Sequence, residues 1–418
     1  MNNYLKRISR IMNILFMSLN RYDDVNEQDI YLDLLREFIK HGDFVYIIST
    51  IEKKDKKDTK INKSNHCTIV YVETGRIQKT NVIEKGVNTI LLEKRLKKSI
   101  IEFFNHIKFD LIIYPTPPIT FVGAVEYIKK RDNAKTFLLL KDIFPQNAID
   151  ISLISKTGVK GVIYRYFCEM EKELYAVSDR IGCMSHANIK YLLDNYSEIQ
   201  KEKLVLCPNC IDPIDISVCH KTRYETREKY SIPGDKIVYV YGGNLGKAQG
   251  ISFLLECLYS QRNNQHAYFL IIGSGTEYGR IEKYVKKEKL NNVKLLNRIE
   301  KKEYNRIVGS CDVGLIFLDY RFTVPNFPSR LLPYMQAKIP VLAVTDPNTD
   351  IGKVIEDGGF GWNCLSNDIQ GFKMRIDESM SANRNAMGEK AWDCLLNNYS
   401  VEKEYQTMIN CMQIEGIY

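Results

Sequence analysis

Several absences from this chain of 418 residues narrow its class before any motif is considered. No stretch approaches the roughly 18–20 consecutive apolar residues that a membrane-spanning helix needs, so none is predicted. The apolar run from Ile11 to Leu19 is broken by Asn13 and Ser18 and enters the charged Arg21-Tyr22-Asp23-Asp24 without a small-residue cleavage site, which argues against a signal peptide. The eleven cysteines are odd in number and irregular in spacing. Cys207 and Cys210 make the only C-x-x-C, enclose Pro208 and Asn209, and have no second pair downstream, so a turn is expected rather than a zinc or redox centre. Reduced thiols and a cytoplasmic location follow as expectations. There is no G-x-S-x-G elbow, no H-E-x-x-H and no Walker A lysine loop. Nor is there an Asp-x-Asp to hold a metal on a nucleotide, so neither metal nor other cofactor is expected. No repeat recurs at a period of roughly 20–50 residues.

What is present is the composition of a soluble globular protein, 44% hydrophobic and 26% charged, which excludes wholesale disorder, collagen and coiled coil. The length suggests two domains of about 200 residues each. Net charge is +8 and unevenly placed: residues 1–210 hold 33 basic against 26 acidic residues, and the rest 26 against 25. A basic N-terminal half suits an anionic partner, a phosphate-bearing ligand or an acidic membrane surface. Basic runs such as Lys53-Lys54-Asp55-Lys56-Lys57 lack interleaved aromatics and contain acids, so a solvated loop is expected there and no nucleic acid.

Short apolar runs alternate with helical patterns in both halves. Ile14–Met17, Phe44–Ile48, Cys67–Val72, Leu111–Tyr114, Thr136–Leu140 and Arg180–Met184 read as buried strands, with helices over Asp29–His41 and Glu93–Ile107 between them. After the turn-rich Cys207–Pro213 the pattern restarts. Lys236–Tyr241, Ala267–Ile272, Val293–Leu296, Val313–Phe317 and Pro340–Val344 are predicted strands, with Ile251–Gln261 and Tyr278–Glu288 as helices. The predicted fold class is α/β, with two Rossmann-like domains over 1–210 and 211–399. Residues 1–11 read as a tail or a short basic amphipathic helix.

Three segments could carry chemistry in the second half. Tyr239-Val240-Tyr241-Gly242-Gly243-Asn244-Leu245-Gly246-Lys247 ends a strand and leads to a helix near Gly250, where glycines admit a ligand, helix amides favour a phosphate and Lys247 adds charge. Gly273-Ser274-Gly275 repeats the arrangement one strand later, but Tyr278 stands where a third glycine would complete a dinucleotide fingerprint. In Asn326-Phe327-Pro328-Ser329-Arg330, Pro328 and Ser329 suit a helix start with Ser329 as its cap. Arg330 in that first turn opposes the helix dipole unless an anion such as a diphosphate shares the site; a surface salt bridge is the other reading. In the first half, Lys141-Asp142 ends an apolar strand, where open α/β sheets build sites; an Asp142 that caps the next turn is the other reading. Tyr22–Gln28, including Asn26, sits at the same edge, and His186 follows another strand in a position that is more often structural.

Together these segments resemble glycosyltransferase family 4, the retaining GT-B enzymes, and within it the bacterial capsule and O-antigen transferases. The resemblance runs from Met12 to nearly the end, most specifically through Thr80–Gly86, Lys141–Asn147, Gly242–Gly250, Asn326–Arg330 and Thr345–Gly352. It implies a nucleotide-sugar donor on the C-terminal domain, an acceptor on the N-terminal domain, transfer in a cleft, and a final helix (about 400–418) that crosses back. Carried over, Gly243, Asn244 and Gly273 approach the donor diphosphate with Lys247. Ser329 and Arg330 clamp it beside Asn326, and backbone at Arg298-Ile299 meets the base. Asn26, Lys141 and Asp142 face the acceptor, with Asp142 and Arg330 catalytic. The implied acceptor is a polyprenyl-diphosphate-linked sugar and the implied location the inner membrane face. Two departures stand out. The family's paired glutamates fall at Pro325 and Pro333, and the lysine of its first glycine turn falls at Gln249. A GT-B epimerase would need a cluster of acids and a histidine that the sequence does not offer. A catalytically dead scaffold in a polysaccharide assembly complex stays open, and an NAD dehydrogenase is the weakest reading.

Overall fold

The computed structural model describes residues 11–52, 61–74 and 82–412. The tail 1–10, the basic run Lys53–Lys57 and the Thr80-Asn81 start of the motif quoted above lie outside them. The chain divides into two compact units: 11–149, 154–212 and the helix Val401–Met412 make one, and Asp150–Leu153 with Pro213–Ser400 make the other.

The N-terminal unit holds eight strands: β1 (Asn13–Met17), β2 (Phe44–Glu52), β3 (Ile61–Ser64), β4 (Cys67–Thr74), β5 (Leu111–Pro115), β6 (Lys135–Leu140), β7 (Arg180–Cys183) and β8 (Leu204–Leu206). Their order is β3-β4-β2-β1-β5-β6-β7-β8, parallel throughout except for β3 against β4. Every residue of β5 is buried, as expected of a parallel strand covered on both faces. β3 escaped the sequence reading because three of its four residues are exposed and polar. The helix Ile30–Lys40 starts where Asp29 accepts the Tyr31 N–H and buries Leu32, Leu34, Leu35 and Phe38. Val401–Met412 adds Tyr405, Met408 and Ile409 to the same core.

The C-terminal unit is a six-stranded parallel sheet of β9 (Ile237–Asn244), β10 (Ala267–Ser274), β11 (Val293–Leu296), β12 (Val313–Phe317), β13 (Val341–Thr345) and β14 (Gly361–Leu365). The order β11-β10-β9-β12-β13-β14 is the doubly wound 3-2-1-4-5-6 arrangement, with its reversal between β9 and β12. The N-terminal sheet reverses in the same way between β1 and β5. β14, with its Trp-Asn-Cys centre, went unread because its apolar run is too short to register. Among the described residues no helix is long and apolar enough to cross a membrane.

Candidate functional site

The reversal in the C-terminal sheet is held open by one side chain. β9 and β12 pair only at Tyr239 with Val313 and Val240 with Gly314. Beyond that point the Tyr334 hydroxyl accepts from the Gly242 N–H and donates to the Leu315 carbonyl, both at 3.1 Å. Its ring lies where any side chain on Gly314 would go. The two strand ends thus diverge without leaving a buried amide unpaired.

Into this opening projects Arg330. Its guanidinium carbon is 4.5 Å from the centre of the Tyr241 ring, and Nη2 donates to Gln249 Oε1. Nη1 is buried with no protein partner. Arg330 therefore rests on an aromatic face and a neutral amide; no carboxylate pairs with it among the described residues. Gly243 turns directly beside it with φ +130°, and a Cβ there would sit 3.7 Å from the guanidinium carbon. Gln249, at the family's lysine position, is the side chain that holds Arg330.

The other donor-side candidates fall into two groups. Gly273 is a packing position: a Cβ on it would lie 1.9 Å from the Gly243 carbonyl oxygen, so it allows β9 and β10 to close. Asn244 and Lys247 are exposed around the same turn. Arg298 is exposed and Ile299 half-buried just past β11; the Arg298 N–H donates to Asn297 Oδ1 at 2.7 Å. The helix expected to open at Pro328 and Ser329 begins instead at Leu331, with Arg330 at its cap position, and Ser329 makes no side-chain cap. Pro328 and Ser329 form the turn that leads into it, their carbonyls accepting from the Leu331 and Leu332 N–H groups, and the loop before them is fastened elsewhere. Thr323 donates through N–H and hydroxyl to Asp150, Asn348 Nδ2 donates to the Phe322 carbonyl, and the Thr349 hydroxyl donates to the Asn326 carbonyl. Asp346 ties the second of these loops by accepting from the Asn348 and Thr349 N–H groups, and burial pushes its carboxyl up to about 6. Sequence reasoning missed Asp150, Asp346, Tyr241 and Tyr334. Nothing local marks them, although Thr345–Gly352 was singled out as a segment.

In the N-terminal unit, Lys141 and Asp142 follow β6 at the carboxyl edge of the sheet. The Thr116 hydroxyl holds their turn, donating to the Asp142 carbonyl at 3.0 Å and accepting from the Lys141 N–H at 3.2 Å. Burial pushes the Asp142 carboxyl up to about 6 and the Lys141 ammonium down, so both charges are held partly desolvated. Lys141 lines a small pocket with Tyr31, Leu139 and Cys207–Cys210 and feels the buried Glu404 of the last helix. The Asp142 charge is felt by Tyr31. Asn26 is exposed, and both its N–H and its Nδ2 bond to Asp24 Oδ1 within its own turn. The side chains that build the edge after β1 are Asn20, Tyr22 and Asp29, linked by Asn20 Nδ2 to Tyr22 at 2.8 Å and Tyr22 to Asp29 at 3.2 Å. His186 is exposed in the first turn of a helix capped by Ser185, and Cys207 and Cys210 are buried free thiols.

Residues 222–392 match the family described as glycosyl transferases group 1. The chain is 25% identical over 310 residues to a protein of Pseudomonas aeruginosa named as the glycosyltransferase WbjE, a match covering 73% of this chain and 74% of that one. It is 20% identical over 250 residues, 60% of each chain, to an Escherichia coli K12 protein named as the colanic acid biosynthesis glycosyl transferase WcaI. Among solved structures it is similar to Anabaena HepE in complex with UDP and glucose, with a TM-score of 0.68 at 12% identity over 96% of this chain and 98% of that one. A doubly wound sheet in each unit and these likenesses give the chain the GT-B fold, with the match to the group 1 glycosyl transferases carried by residues 222–392 around the arginine at the second reversal.

Proposed function

We propose that the chain transfers a sugar, with retention, from a nucleoside diphosphate donor to a lipid-linked oligosaccharide in the synthesis of a surface polysaccharide. The observation that carries the donor side is Arg330, a half-buried guanidinium with one unpartnered nitrogen and no carboxylate, placed where a doubly wound sheet receives ligands. A buried cation left without an anion is costly, and a diphosphate bound there would supply one. UDP is the expected nucleotide, since the HepE structure holds UDP and glucose, and an N-acetylated hexosamine suits the O-antigen context. The polysaccharide context rests on the likeness to the transferase named for colanic acid synthesis.

In this reading Arg330, Lys247 and the amides around Gly243 stabilise the leaving diphosphate, and such preorganised charge is commonly the largest catalytic contribution. The bond from the sugar's anomeric carbon to the diphosphate breaks as the acceptor oxygen attacks from the same face. The acceptor's proton passes to the departing diphosphate oxygen. Asp142, ionised above its raised pKa of about 6, accepts the acceptor hydroxyl's hydrogen bond and orients it. No metal takes part. With Pro325 and Pro333 at the glutamate positions, the ribose is held by other groups, and the basic N-terminal half rests against the inner face of the membrane.

The test is a thermal-shift panel of UDP, GDP, dTDP, CMP and NAD on the wild type and on Arg330→Ala. A ligand that binds only the folded state raises the melting temperature. One nucleoside diphosphate should stabilise the wild type and not the variant. A shift with NAD alone, or none with any diphosphate, would sink the assignment, and binding without turnover of the matching sugar nucleotide would identify a scaffold.

A further inference from the structure

The helix Val401–Met412 meets the helix Ile30–Lys40 through a group of side chains that the transfer chemistry does not use. Glu37 and His41 are one turn apart on the first helix, and Glu402 faces them from the second. His41 Nε2 lies 3.2 Å from Glu37 Oε1 and 3.7 Å from Glu402 Oε2. The three donor atoms all fall within 4.8 Å of one another. A zinc ion bound at about 2.0–2.2 Å to nitrogen and oxygen ligands at tetrahedral angles places neighbouring ligand atoms about 3.3 Å apart. The observed separations bracket that value.

The surroundings orient the ligands. The His41 ring is stacked on Tyr405 at 4.0 Å between centroids and 4° between planes, and Tyr405 is itself held edge-on by Phe38 at 4.9 Å. Gln406 Nε2 donates to Glu402 Oε1 at 3.1 Å, which leaves Oε2 directed at His41. The Glu37 side chain is buried, with 7% of it exposed, while His41 and Glu402 lie at the surface. Two carboxylates are thereby held against each other and a histidine. The competing cation is Lys40, whose Nζ lies 3.0 Å from Glu37 Oε1 and 3.9 Å from Glu402 Oε2. Its side chain is 69% exposed, so it can move out to water when a better cation arrives.

We propose that Glu37, His41 and Glu402 form a zinc-class divalent metal site that fastens the C-terminal helix to the first helix of the N-terminal unit. One imidazole and two carboxylates suit zinc over magnesium, which prefers an all-oxygen octahedral shell. Water fills the fourth position. The site does not depend on the donor assignment.

The test uses the full chain, stripped with EDTA, and titrates ZnCl2 and MgCl2 separately by calorimetry and thermal melting. Zinc should bind at one equivalent above any binding in His41→Ala and raise the melting temperature by roughly 3 °C at a tenfold excess over Kd, while magnesium gives no shift. Glu402→Gln, a change at a half-exposed position, should abolish the zinc increment while the zinc-free melting temperature stays near that of the wild type. Lys40→Ala should tighten zinc several-fold, because the ammonium no longer competes. Zinc uptake of equal stoichiometry in wild type and His41→Ala, an increment retained in Glu402→Gln, or Lys40→Ala binding zinc no more tightly than wild type would each overturn the site.

Discussion

At the scale of single residues, the proposed donor side depends on two constraints that meet at Gly243. Its φ of +130° is open to glycine and strained for any L side chain, and a Cβ there would touch the adjoining guanidinium, which a branched side chain would crowd. Gly243→Val should therefore destabilise the chain by about 1–3 kcal/mol and remove its response to nucleotide, both visible in the same melting experiment. Asp142 works in the other direction. Burial raises its folded-state pKa to about 6 from an unfolded value near 4, so the folded chain binds that proton more tightly. Its contribution to stability is fully present below about pH 4 and falls as pH rises through about 6. Asp142→Asn should leave the melting temperature unchanged at pH 4 and raise it at pH 7.5 by the equivalent of about 1 kcal/mol, allowing for partial exposure, while transfer is lost. A destabilising carboxylate retained at a strand end is the expected mark of a working group. Lys141 and Asp142 were legible in the sequence because they interrupt an apolar strand. That Asn26 bonds back to Asp24 within its own turn was not legible, because a polar loop gives no sign of which of its side chains do so.

At the scale of elements, the opening between β9 and β12 rests on the Tyr334 hydroxyl. Tyr334→Phe keeps the ring over Gly314 but strands the buried Gly242 N–H and Leu315 carbonyl, which costs about 1–3 kcal/mol. Urea unfolding should show the loss as a lower midpoint with an unchanged slope. The helix Val401–Met412 presents Met408, wholly buried, to the N-terminal core. Met408→Ala should cost about 2–5 kcal/mol and expose that helix to limited proteolysis. Most strands could be read from apolar runs and several helices from periodicity, but the long helix Gly158–Val177 and the helices Ile369–Ser381 and Arg384–Asn398 went unread. The start of the short helix after Arg330 could not be read, since Pro328 and Ser329 look like a helix start but form a turn before it, in a loop tied at Phe322, Thr323 and Asn326 by distant residues.

At the scale of the whole molecule, each unit has its own core and its own sheet reversal, and the chain passes from one unit to the other and back. Donor and acceptor recognition should then be separable. In hydrogen exchange on the full chain, UDP should protect 242–250 and 326–336 in the C-terminal unit and leave 141–147 at its unliganded rate. Protection confined to 141–147 would reverse the assignment of the two units.

The sequence by itself determined the alternation of buried strands and amphipathic helices, hence two parallel sheets, because burial on both faces requires short unbroken apolar runs whatever their neighbours are. It also placed Asp142 at a strand end and Arg330 at a helix start, since a charge beside an apolar run is visible in one dimension. Only the tertiary structure decided what surrounds those charges. Tyr241 under Arg330, Gln249 beside it, Tyr334 between two strands, and Asp150 far upstream bracing the Arg330 loop are contacts between residues about 80 to 175 positions apart or on adjoining turns. Partnership of that kind is set by packing geometry, which no local pattern of residue types encodes.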